Sequence, residues 1–76
     1  MNKARRIALI DIQKELEASK VKLESIMDQE QESFDNLTEG LQATARGSAM
    51  EEAVDNISLA IDSIDEAIAY IDEAAI

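Results

Sequence analysis

The sequence predicts an all-α protein, an antiparallel two-helix hairpin that pairs into a dimeric four-helix bundle. Three observations lead to this prediction. The chain of 76 residues has no Pro and only two Gly, and it is rich in Ala, Ile, Leu, Glu, Asp and Gln, a composition typical of helical proteins. Its last third repeats every seven residues, with alanine returning at Ala53, Ala60, Ala67 and Ala74. The segment between the two helical patterns is short, which favours antiparallel neighbours.

Helix 1 is predicted over residues 2–36. Asn2 is a suitable N-cap because its side-chain oxygen can accept a hydrogen bond from a free backbone N–H of the first turn. Apolar residues follow at helical spacing and form one stripe: Ala8, Leu9, Ile12, Leu16, Leu23, Ile26, Met27 and Phe34. The helix is expected to end near Asn36, with Gly40 as a C-terminal cap.

Helix 2 is predicted over residues 48–75, after a connection at 37–47, so that residues 1–76 form one domain. Ser48 and Glu51 match a capping box, and Gly47 would supply a flexible entry. The heptad then places large apolar residues at two of every seven positions, which is typical of a helix that packs along other helices: Val54, Ile57, Ile61, Ile64, Ile68 and Ile71.

The apolar stripe of helix 2 is wider than one neighbouring helix can cover, so we expect a homodimer. A chain of this size also rarely forms a sufficient core alone. Ile7, Ile10 and Val21 lie off the main stripe of helix 1 and form a second apolar strip. The predicted oligomer seam comprises Ile7, Ile10, Val21, Ile57, Ala60, Ile64, Ala67 and Ile71. Which helices meet across the dimer, and whether the assembly is larger, is left open by the sequence.

The formal net charge of −10 is distributed unevenly. Residues 1–33 carry six Lys and Arg against seven Asp and Glu, whereas residues 47–76 carry eight acidic residues and no Lys or Arg. The hairpin is expected to bring Lys3, Arg5 and Arg6 close to the acidic residues at the end of helix 2. The predicted acidic interaction face comprises Glu51, Glu52, Asp55, Asp62, Asp65, Glu66, Asp72 and Glu73.

No motif for catalysis or cofactor binding occurs in the sequence. The chain has no His and no Cys, so it lacks the usual general base, the thiolate nucleophile and the Glu-x-x-His pairs of di-metal bundles. A non-enzymatic protein without cofactor or metal is predicted. The apolar run after the basic start is too short for a signal peptide or a membrane span, and a cytoplasmic location is expected.

Two functional interpretations follow from the acidic face. In the first, the protein is an interaction module whose acidic and apolar faces bind another protein with a basic surface, without binding nucleic acid or membranes directly. In the second, helix 2 imitates the phosphate row of DNA and inhibits a nucleic-acid-binding enzyme, because carboxylates one or two turns apart lie roughly 6–10 Å apart along a helix. A third interpretation is that the acidic face only keeps a small structural bundle soluble.

The segment Met27–Gln42 resembles small acidic helical proteins encoded by phages and prophages of Gram-positive bacteria. The start Met1–Arg6, the Arg46-Gly47 step and the repeated Glu-Glu-Ala and Asp-Glu-Ala of helix 2 are similar as well. The chain departs from the pattern at Thr38, where the resemblance predicts Pro. The resemblance implies a phage-type accessory protein that acts in a bacterial host cytoplasm on a host or defence protein, and it implies no catalytic residue.

Overall fold

The computed structural model describes all 76 residues and contains two long helices joined by a one-turn helix. Helix α1 spans Lys3–Asp35, α2 spans Glu39–Gln42 and α3 spans Ala45–Ala74. Helices α1 and α3 pack side by side in opposite directions, and the molecule measures 58 × 15 × 12 Å. The predicted all-helical hairpin is therefore confirmed, and there is no strand.

Helix α1 begins and ends close to the predicted residues. The Asn2 side chain accepts a hydrogen bond from the backbone N–H of Arg5 at 2.8 Å, which satisfies one of the free donors of the first turn. Asn36 is the C-cap; its N–H donates to the carbonyl oxygen of Glu32, and the N–H of Leu37 donates to that of Phe34, each at 3.0 Å. Gly40, expected as the C-terminal cap, instead lies in α2 and has no positive φ.

The chain reverses direction around α2, and Gln42 ties this short helix to the end of α1. Gln42 Nε2 donates to the carbonyl oxygens of Phe34 and Leu37, each at 3.2 Å. The Phe34 carbonyl belongs to the last turn of α1, where acceptors have no partner within the helix itself, and Leu37 lies in the reversal that follows. The side-chain amide thus satisfies acceptors at the reversal.

Helix α3 begins before the predicted capping box. Thr44 is the N-cap, with its side-chain oxygen accepting from the N–H of Gly47 at 3.4 Å, and Ser48 lies inside the helix. Gly47 is buried, and a Cβ at this position would lie 2.1 Å from the carbonyl oxygen of Gln42. Gly47 therefore permits close approach of α3 to α2; it is not a flexible entry.

The seam between α1 and α3 follows a seven-residue repeat on both helices. The positions of this repeat are half-buried or buried: Leu9, Gln13, Leu16, Lys20, Leu23, Met27, Glu30 and Phe34 on α1, and Gly47, Met50, Val54, Ile57, Ile61, Ile64, Ile68 and Ile71 on α3. Arg6, Glu24, Ala53 and Ala67 are half-buried as well. Spacings alternate between three and four residues, as at positions a and d of a heptad. Position a holds Gln13, Lys20 and Met27 on α1 and Val54, Ile61 and Ile68 on α3.

Polar residues occupy seam positions where the sequence predicted isoleucine. Gln13, Lys20 and Glu30 are half-buried, whereas Ile12 and Ile26 of the predicted stripe are 44% and 50% exposed. Compared with the predicted stripe, α1 is rotated about its axis, so that the face centred on Leu9, Leu16 and Leu23, which are spaced by seven residues, contacts α3. Ile61 is the one buried apolar side chain, at 8% exposure, so the hairpin has a thin core.

Candidate interaction surfaces

The acidic residues of α3 occupy one flank of the hairpin. In the heptad defined by the seam, all eight fall at positions e, b and f, and all eight are exposed. On a helix these three positions are adjacent and lie to one side of the seam and across the back. We call this surface the acidic flank: Glu51, Glu52, Asp55, Asp62, Asp65, Glu66, Asp72 and Glu73.

Two of these carboxylates contact α1. Lys20 Nζ lies 2.7 Å from Asp65 Oδ1 and 4.0 Å from Glu24 Oε1. Gln13 Nε2 donates to Asp72 Oδ1 at 2.5 Å and to the carbonyl oxygen of Ile68 at 3.1 Å. The other six carboxylates form neither an ion pair nor a side-chain hydrogen bond.

The basic start of α1 does not meet the acidic flank in the predicted way. Lys3, Arg5 and Arg6 form no ion pair, and the inter-helix ion pair uses Lys20 instead. Gln13 lies beside Ile68 and Asp72, close to the end of α3 at Ala74. The first turns of α1, which precede Gln13, therefore lie toward and beyond the end of α3. The register of the seam, which the apolar pattern leaves undefined, thus determines which cation meets which carboxylate.

The environment of Lys20 favours its charged form. The hydrogen bond to Asp65 is the largest effect and raises the pKa of Lys20 above its ordinary value of 10.5. Desolvation, the next largest, opposes it, and the charges of Asp65, Glu17 and Glu24 each add a smaller increase. Lys20 therefore remains protonated at neutral pH at the point where the seam meets the acidic flank.

The opposite flank has no charged residue at positions g and c of α3 from residue 53 to residue 74, or at position g of α1 from residue 12 to residue 33; position c of α1, at its outer edge, holds Glu15 and Lys22. Position g of α3 holds only alanine from residue 53 to residue 74, and position c holds Asn56, Ser63 and Tyr70. Position g of α1 contributes Ile12, Ser19, Ile26 and Ser33, and in an antiparallel pair the g positions of both helices lie on the same side. We call this surface the uncharged flank: Ile12, Ser19, Ile26, Ser33, Ala53, Asn56, Ala60, Ser63, Ala67, Tyr70 and Ala74.

The structure does not bring the predicted oligomer seam together on one surface. Ile57, Ile64 and Ile71 are half-buried within the seam between α1 and α3. Ala60 and Ala67 lie on the uncharged flank. The remaining three, Ile7, Ile10 and Val21, are exposed at positions b and e of α1, on the same side as the acidic flank. The repeat of Leu9, Leu16 and Leu23 is the sequence signal that separates these groups.

The Asp and Glu side chains that could ligate a metal are spread along the helices rather than clustered. No three His, Cys, Asp or Glu side chains are placed to hold a metal ion, and the surface has no cavity. No buried side-chain nitrogen or oxygen lacks a hydrogen-bond partner. None of the helices is both long enough and apolar enough to cross a membrane.

Comparison with known proteins leaves the resemblance to phage proteins a prediction. No protein-family model matches the chain, and no curated protein or solved structure matches it significantly.

Proposed function

We propose that the protein is a non-enzymatic interaction module that binds the basic surface of another protein through its acidic flank. The observation that carries this proposal is the row of eight exposed carboxylates on one side of a 30-residue helix, of which only Asp65 is paired with a cation. Unpaired carboxylates in a row attract Lys and Arg side chains and accelerate association with a basic partner.

The shape of the hairpin favours recognition along its length. Helix α3 is continuous from Ala45 to Ala74, so its carboxylates are held at fixed separations by the backbone. A partner with a row of basic side chains could therefore engage several carboxylates without ordering a flexible segment, which lowers the entropic cost of binding. The uneven distribution of charge adds specificity, because only one flank attracts such a partner.

The resemblance to phage proteins suggests the setting of this function. An accessory protein of a phage would act in the cytoplasm of its bacterial host, on a host or defence protein with an exposed basic surface. Within this proposal the protein is a homodimer without cofactor, and it does not bind nucleic acid directly.

A second candidate function is inhibition by imitation of DNA. The observation that favours it is the spacing of the acidic flank, since Asp55 and Asp62, and likewise Glu66 and Glu73, are separated by two helical turns, or about 10 Å. A row of this kind is comparable with consecutive phosphates of a DNA strand, which are roughly 7 Å apart. The partner would then be a nucleic-acid-binding enzyme, and DNA would compete with the protein for it.

Affinity capture with matched charge variants tests the proposal. The immobilised wild type should capture a basic protein from a bacterial lysate, and the triple variant Asp62→Asn, Glu66→Gln and Glu73→Gln should lose it. The control triple variant Asp11→Asn, Glu15→Gln and Glu32→Gln has the same net charge but changes exposed residues of α1 away from the acidic flank, and it should retain the partner. Equal capture by all three proteins, or no capture by the wild type, would contradict the proposal.

Competition separates the two candidate functions. Both predict that binding weakens as salt rises from about 0.05 to about 0.5 M, because exposed charges are screened over a few ångströms at high salt. Only DNA imitation predicts that duplex DNA displaces the protein from its captured partner. A partner that keeps the protein bound under excess DNA supports the interaction module and excludes the imitation.

A further inference from the structure

The uncharged flank exposes large apolar side chains next to a column of small ones. Ile12 is 44% and Ile26 is 50% exposed, and Tyr70 at the edge of the same flank is 72% exposed. Position g of α3, which lies between position g of α1 and position c of α3, holds only small side chains: Ala53, Ala60, Ala67 and Ala74. Small residues of this kind let the backbone of a further helix approach closely, while the isoleucines provide apolar area to bury.

We propose that the uncharged flank binds the same flank of a second copy of this chain, which forms a four-helix bundle with both acidic flanks outward. The distribution of charge selects a second copy as the occupant. Each chain carries a net charge of −10, so two copies repel one another least where carboxylates are fewest. Contact through the uncharged flank leaves all eight acidic residues of each α3 in water, with Glu15 and Lys22 of α1 at its outer edge, and avoids the cost of burying a charge.

The area of the uncharged flank is sufficient for such a dimer. Ala53 and Ala74 are separated by roughly 32 Å along the helix axis, and two packed helices present a flank roughly 18 Å wide. Each copy would therefore cover roughly 600 Å², and the pair about 1,200 Å², which is the lower limit for specific interfaces. The gain is large for a hairpin in which Ile61 is the one buried apolar residue.

The inference rests on the homodimer that the proposed function includes and names its interface. Its failure is distinguishable from failure of the proposed binding, because the acidic flank could bind its partner from a monomer or from a dimer. It differs from the sequence prediction in the residues that it uses. Ile7, Ile10 and Val21 lie outside the proposed interface, and Ile57, Ile64 and Ile71 belong to the seam within each hairpin.

Two alanine positions of α3 provide a matched test. Ala60 lies on the uncharged flank and Ala69 lies at position b, on the side of the acidic flank, and both are exposed. The wild type should have the mass of a dimer in sedimentation equilibrium at micromolar concentration. Ala60→Glu should weaken dimerisation at least about 100-fold, because it places a charge in the interface, and Ala69→Glu should leave it unchanged.

Thiol alkylation provides a second measurement, in case Ala60→Glu also loses its helical structure. The chain has no cysteine, so Ala60→Cys and Ala69→Cys each introduce a single reactive group with little change in size. Iodoacetamide should modify the cysteine at position 60 more slowly as protein concentration rises, and the cysteine at position 69 at a constant rate. A helical wild type that remains monomeric at about 100 μM, or equal protection of both cysteines, would overturn the proposal.

Discussion

Lys20 Nζ lies 2.7 Å from Asp65 Oδ1 and forms the one ion pair between the two long helices. Both side chains are partly exposed, at 26% and 50%, so the pair is accessible to solvent and salt. Its position is more informative than its strength, because exposed ion pairs contribute little to stability. A lysine at an a position of α1, in a seam of mainly apolar side chains, favours the register in which Asp65 is its neighbour.

Reversal of the charge at Lys20 should destabilise the hairpin. Lys20→Glu places a third carboxylate beside Asp65 and Glu24, and we expect the melting temperature measured by circular dichroism to fall by several degrees. The control is Lys22→Glu, which makes the same charge change at an exposed position without an ion pair. Recovery of the melting temperature in the double variant Lys20→Glu with Asp65→Lys would show that the pair itself is responsible, and failure to recover would contradict it.

Stability should decrease at high pH through deprotonation of Lys20. The pKa of Lys20 is raised above its ordinary value of 10.5 in the folded protein, chiefly by the hydrogen bond to Asp65. The contribution of this group is therefore complete below that value and is lost as pH rises through the folded pKa. Thermal melts between about pH 9 and pH 12 should show this loss in the wild type and a smaller one in Lys20→Met, whereas identical profiles would exclude the effect.

Gly47→Ala should strongly destabilise the chain reversal. The added Cβ would lie 2.1 Å from the carbonyl oxygen of Gln42, a backbone atom that cannot rotate away. We expect a loss of about 2 kcal/mol or more in the free energy of unfolding, measured by urea titration. Gly40→Ala is the matched control, because nothing lies within 4 Å of its Cβ, and alanine in a helix should be neutral or stabilising by about 0.5 kcal/mol.

Thr44→Ala should shorten or destabilise α3 at its beginning. The side chain of Thr44 accepts from the N–H of Gly47, and removal of an N-cap side chain costs about 1 kcal/mol. Ser48→Ala should cause no loss of stability, because Ser48 lies inside the helix and makes no side-chain hydrogen bond. If Ser48→Ala is the more damaging substitution in urea titration, α3 begins at the capping box that the sequence predicted.

The sequence was sufficient for the class of the fold because the two relevant signals are local. The heptad of helix 2, the absence of Pro and the N-cap Asn2 of α1 can each be recognised from a short stretch of sequence, without knowledge of contacts between the helices. The rotation of α1 was missed because Ile12 and Ile26 are more apolar than Gln13 and Lys20. Gln13 and Lys20 occupy the seam because they bind Asp72 and Asp65 of α3. These partners can be identified only when the register between the helices is known.

The first residue of α3 could not be predicted from local sequence patterns either. Ser48 and Glu51 satisfy the capping box equally well whether or not the helix begins there. Thr44 is selected because α2 brings Gln42 against Gly47, a contact between segments that no periodicity describes. The exposed position of the eight acidic residues on one side of α3, in contrast, follows from the apolar columns of the same helix; their role in binding stays a prediction.

The separation of charge across the width of the hairpin has a consequence for the way in which the molecule meets a surface. The carboxylates of α3 lie on one side of the helix, so the charge separation is perpendicular to the long axis. The molecule is 58 Å long and at most 15 Å wide. Near a positively charged surface, the torque that aligns the acidic flank therefore rolls the rod about its long axis. Rolling sweeps far less solvent than end-over-end rotation, so an approach broadside to the surface can be corrected quickly.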